Sequence, residues 1–160
     1  MATVTATSQN AGILAGTFLS GAMMSLCFVP VPVMLDTATD AKHLAKQWTR
    51  LFYRGHRIFP AMALTTGLIH CYTAATTGRW VFALAGAATV SIAPYTWSLM
   101  AATNRQLFQL AEESSQPSRL SAADRLATVK DLVVKWAWLH LVRSLLPLAG
   151  TMIAACATLT

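Results

Sequence analysis

The sequence predicts an all-α integral membrane protein: a four-helix bundle with a partly helical, amphipathic first cytosolic loop. Two observations carry this reading. Four long apolar blocks alternate with polar stretches that hold most of the charge. Only 11% of the 160 residues are charged, against 55% hydrophobic, whereas a soluble domain carries about 25% charged residues. A chain of this length makes one domain, 1–160. The net charge of +6 does not point to nucleic acid, because no basic face is interleaved with aromatics.

Residues 11–35 form the first block, with no charged side chain. A membrane helix takes roughly 20 apolar residues. No basic stretch precedes this block, so it reads as a retained helix and not as a cleaved signal. Gly12, Gly16 and Ser20 recur at four-residue spacing. Small residues in that pattern let helix backbones approach closely, inside the bundle or in a homo-oligomer; the sequence leaves both open. Pro30 and Pro32 distort the end of this helix.

The loop 36–57 carries Lys42, Lys46, Arg50, Arg54 and Arg57, with Leu44, Trp48, Leu51 and Phe52 on another face. That pattern predicts an interfacial helix, with Trp48 as a membrane-interface residue. Trp80, Trp97 and Trp136 also suit such a belt. The spans 58–78 and 80–104 follow, separated by Arg79. Pro94 kinks the latter. The second long loop, 103–131, holds Arg105, Arg119, Arg125 and Lys130. Glu112 to Ser118 reads as a flexible loop, and Ser121 with Asp124 reads as a helix start. The fourth block, 132–159, is interrupted by Lys135, His140 and Arg143 and kinked at Pro147.

Both tails lack Lys and Arg, so the positive-inside rule puts the long loops in the cytosol and both termini in the lumen or outside. Cys27, Cys71 and Cys156 lie in apolar blocks without metal-binding spacing and read as buried thiols. No metal site is predicted.

Ionisable residues inside a membrane mark function by default. Trp136, His140, Arg143 and Pro147 share one helix face, and so do Tyr53, His56, Pro60, Gly67 and His70. Thr96, Met100, Thr103 and Asn104 form a third polar face. His140 and Thr96 each lie about 12 Å inside from the cytosolic side, at about 1.5 Å per residue. These groups converge in the cytosolic half of one bundle. Each has a plainer reading: Arg143 as a structural charge satisfied by helix carbonyls or Asn104, His140 and His70 as core histidines, His56 as a solvated one.

Ser20-Gly21, Gln47-Trp48, Tyr53, Gly55, Pro60, Pro94-Tyr95-Thr96, Met100, Thr103-Asn104, Leu107, Trp136, His140, Arg143 and Pro147 form an ordered set. With it the chain resembles the fungal anthrone oxygenases across about residues 12–150. The resemblance implies an endomembrane enzyme of aromatic polyketide pathways. It would convert an anthrone to an anthraquinone with O2 as co-substrate and no organic cofactor or metal. Its partners would be a small aromatic polyketide and membrane lipid.

For that chemistry His140 is the first choice of base, since histidine titrates near pH 6.5, and His56 is the substitute. Arg143 and Asn104 would stabilise the developing oxyanion. Tyr53, Tyr95, Thr96, Met100 and Trp136 would line a slot for a flat substrate. Two rivals compete. One is a haem or metal redox protein, with His70 and His140 within about 6 Å of one depth. The other is a non-enzymatic membrane scaffold.

Overall fold

The structure, a computed structural model, describes residues 2–112 and 121–159, and every element among them is helical. Helix α1 runs Ala2–Phe28 and stops ahead of Pro30, which restricts the residue before it. Val29 leaves the helical region at φ −121°, and α2, Pro30–Thr37, restarts with proline in its first turn. A proline is tolerated there because that N–H has no helical partner.

Asp40 opens α3, Ala41–Thr77, by accepting from the His43 N–H at 2.7 Å. Gly78, at φ 69°, closes it in the left-handed region that glycine adopts without strain. The loop 36–57 and the span 58–78 are thus mostly one helix. The expectation of an interfacial helix needs correction here. Leu44, Ala45 and Trp48 are buried in protein, in a core with Leu107, Val129, Val133 and Trp136. Trp48 is not a membrane-interface residue, and neither is Trp136, whereas Trp80 and Trp97 are exposed.

The third block is segmented. It comprises α4 (Trp80–Val90), α5 (Ile92–Tyr95), a π-helical turn (Thr96–Met100) and α6 (Ala101–Glu112). Pro94 explains the break, since it cannot donate to a carbonyl one turn earlier. Helix α7, Ala122–Leu159, is capped by Ser121, whose Oγ accepts from the Asp124 N–H at 3.1 Å and donates to its carboxylate at 2.7 Å. Pro147 lies inside α7 without ending it. Of the expected flexible loop, Glu112 ends α6; Glu113 to Ser118 lie outside the described residues, as does Arg119.

Three helices are long and apolar enough to cross a membrane: Thr5–Thr37, Ala41–Thr77 and Ala122–Leu159. Helices α1 and α4 each pack on α3 and α7, and α6 continues the packing on the first halves of both. The small-residue stripe of α1 is used inside this packing. Gly12 faces the His70 ring, Gly16 faces Thr151, and the Ser20 hydroxyl donates to the Ser144 carbonyl at 2.8 Å. A side chain on Gly150 would place its Cβ 2.5 Å from the Ala85 carbonyl oxygen. Such close approaches substitute for the hydrophobic drive that lipid does not supply between helices.

Candidate active site

A crevice opens between α3 and the stretch formed by α5 and the π turn. Leu51, Phe52, Gly55, His56, Phe59 and Pro60 form one side, and Ile92, Ala93 and Thr96 the other. Trp136, His140 and Arg143 of α7, with Leu26 of α1, close the back. The back is buried, with Trp136 and His140 exposed by only 2% and 1%.

Three residues along α7 separate His140 from Arg143, so their side chains meet on one face. The Arg143 guanidinium donates to Thr96 Oγ1 at 2.7 Å and to His140 Nδ1 at 2.7 Å. A guanidinium only donates, so Nδ1 is the acceptor and carries no proton. The ring proton is therefore on Nε2, which donates to the Met23 carbonyl at 3.1 Å. The Thr96 hydroxyl spends its own proton on the Ile92 carbonyl at 2.6 Å, which leaves its oxygen free to accept from Arg143. Trp136 stacks on the imidazole at 4.8 Å and 14°. One guanidinium nitrogen, Arg143 Nε, is buried and has no partner.

Of the residues singled out in the sequence, His56, Thr96, Trp136, His140 and Arg143 line the crevice. Tyr53, Tyr95, Met100 and Asn104 do not. Tyr53 is exposed and packs against Phe108 at 5.5 Å. Met100 is buried in the core around Trp48, and Tyr95 packs on that core. Asn104 is buried with an unpartnered Oδ1, so it does not satisfy Arg143; Thr96 and His140 do. The geometry also weighs on the choice of base. The one lone-pair nitrogen of His140 already accepts from Arg143. His56 is exposed at the mouth, stacked on Phe52 at 5.4 Å and 12°.

Sequence reasoning missed Phe59 and the Met23 carbonyl. Phe59 was legible, since it follows Phe52 and His56 at helical spacing on one face. A backbone carbonyl leaves no mark in a sequence.

The family model described as anthrone oxygenase matches residues 48–153. The chain belongs to the anthrone oxygenase family. Anthrone oxygenase AgnL2 of Paecilomyces divaricatus is 43% identical to it, covering 94% of each chain. Anthrone oxygenase tpcL of Aspergillus fumigatus is 42% identical over 91% of this chain and 89% of its own. The noranthrone monooxygenase of Aspergillus flavus is 40% identical over 90% of this chain and 70% of its own. No solved structure matches the chain. The family match takes in Trp136, His140 and Arg143 of α7 and every crevice residue except Leu26.

Two further groups bear on a cofactor. Among the described residues no cluster of three or more His, Cys, Asp or Glu side chains is placed to hold a metal ion. The expected common depth of His70 and His140 needs correction. His70 packs at Gly12 and His140 bonds to Met23. Eleven residues of α1 separate those points, about 16 Å at helical rise. This pair of histidines does not face a single haem plane.

Proposed function

We propose that this anthrone oxygenase family member converts a polyketide-derived anthrone and O2 to the anthraquinone and water, without a cofactor. The observation that carries the reading is Arg143, held between His140 and Thr96 at the back of an apolar crevice. An anthrone has an acidic methylene across the central ring from its ketone. Loss of one proton aromatises that ring and puts negative charge on the former ketone oxygen. A preoriented guanidinium beside that oxygen stabilises the anion without reorganising.

His56 takes the proton in this scheme, because its lone pair is not committed to Arg143. The anthrolate passes one electron to O2, giving superoxide and a carbon radical. These combine at the carbon that lost the proton. His56 returns its proton to the peroxide. The remaining C–H proton and the hydroxide of the hydroperoxide then leave as water, and the carbon becomes the second quinone carbonyl. Phe52, Phe59 and Trp136 offer flat walls to the rings.

The proposal extends to the setting. The rod from Trp80 to Glu112 serves as a fourth span. The basic first halves of α3 and α7 and the end of α6 face the cytosol, both termini face the lumen of an endomembrane, and lipid surrounds the bundle.

The test is anthraquinone formation by detergent-purified, chelator-treated protein in air-saturated buffer, measured against spontaneous oxidation at the same pH. A rate far above the control is expected. Replacing His56 by Ala should lower kcat by roughly 10²–10⁴, the usual contribution of a general base. An unchanged rate in that variant assigns the base elsewhere. No acceleration by the wild-type protein refutes the oxygenase reading.

A further inference from the structure

We infer that the crevice takes its substrate sideways from the hydrocarbon of the bilayer, through a gate between Pro60 on α3 and Ala93-Pro94 on α5. This rests on the oxygenase reading for what the substrate is, but the route follows from the shape of the site.

The way along the bundle axis to the cytosolic end is blocked. Trp48 touches Phe52, Phe108 and Trp136 with ring centroids 5.3, 5.1 and 5.8 Å apart. Trp48 is fully buried and Trp136 nearly so. The exposed crevice residues lie instead on the perimeter: His56 and Pro60 on one lip, with Ala93 and Thr96 half-buried on the other. Past Pro60 and past Ala93 large apolar side chains reach the surface, while the exposed Arg54 and Arg57 lie on the His56 side. Leu64, one turn past Pro60, is 56% exposed, and Trp97, one turn past Ala93, is 74% exposed. That rim suits lipid better than water.

The crevice is also too small as it stands. Its cavity volume is about 50 Å³, whereas sites for drug-sized ligands span about 300–1,000 Å³. A three-ring substrate therefore requires the walls to part. Both lips are built to yield. Pro60 and Pro94 each lack the N–H that would bond one turn back. A π turn begins two residues after Pro94, and such turns interrupt helical regularity at functional places. Pro60 lines the opening on one side, and Pro94 follows Ala93, which lines it on the other.

The experiment uses protein in phosphatidylcholine vesicles, with unsubstituted anthrone as substrate. An Ala93→Cys variant is then modified with a benzyl thiosulfonate, and the label is later removed with reductant; wild-type protein, with its own three cysteines, is the labelling control. Activity of the variant should fall at least tenfold on labelling and return on removal.

The second readout needs no turnover. Anthraquinone dissolved in the vesicles should slow labelling of Cys at position 93. A labelled variant as fast as the unlabelled one overturns the lateral route while leaving the oxygenase reading intact. Protection without any turnover would keep the route and discard the oxygenase reading. Neither protection nor turnover would discard both.

Discussion

Arg143 is oriented by two side chains that are themselves oriented. His140 is fixed by the Met23 carbonyl and the Trp136 ring, and Thr96 by the Ile92 carbonyl. A bidentate guanidinium of this kind is not replaced by an ammonium. Arg143→Lys should keep the charge but lose one of the two bonds, and kcat should fall by about 10²-fold, the loss typical of one aimed donor. Steady-state kinetics with little change in KM would match that role. His140→Ala should act through both stability and rate. It leaves a buried guanidinium nitrogen of Arg143 without its acceptor, at about 1–3 kcal/mol, and removes the ring stacked against Trp136. If His140 only positions Arg143, His140→Asn should recover part of the rate by restoring an acceptor. No recovery would return His140 to the role of base. His140 and Arg143 were legible as buried polar groups in an apolar block. Their mutual bond and the ring tautomer were not, because both are fixed by the Met23 carbonyl of α1 and the Thr96 hydroxyl of the π turn.

At the scale of elements, small residues decide how closely the helices pack. Gly150→Ala would set a Cβ against the Ala85 carbonyl and 2.6 Å from Thr89 Oγ1. Backbone cannot yield cheaply, so α4 and α7 would have to separate, at about 1–3 kcal/mol for such overpacking. Thermal melting in detergent should detect this. Gly21 is the control, with nothing within 4 Å of an added Cβ. Gly21→Ala should be neutral or raise stability by up to about 1 kcal/mol through helix propensity. The spacing of Gly12, Gly16 and Ser20 announced close packing in the sequence. It left the partner open, and the structure supplies α3 and α7. The amphipathic pattern of 41–57 was equally legible as a helix, but its apolar face found α6 and α7 rather than lipid.

At the scale of the whole molecule, charge placement sets orientation. A cysteine at Thr39, exposed between α2 and α3, should react with an impermeant thiol reagent added to the cytosolic face of sealed microsomes. Labelling of that site only from the lumen would reverse the proposed topology. What the sequence by itself determined is the class of the protein and most of its helices. Those follow from local quantities: uncharged runs long enough to span, proline at a helix end, the helix start at Ser121, and a clustering of basic residues. The tertiary structure alone decided which polar groups share the crevice, which histidine keeps a free lone pair, and where the opening lies. Helical spacing fixes which face a residue occupies but not which neighbour that face meets. Asn104 and Met100 sit on a face that looked suitable for the site, yet packing buries both, Met100 in the core around Trp48. Met23 enters the site through a carbonyl, and every non-proline residue carries one of those.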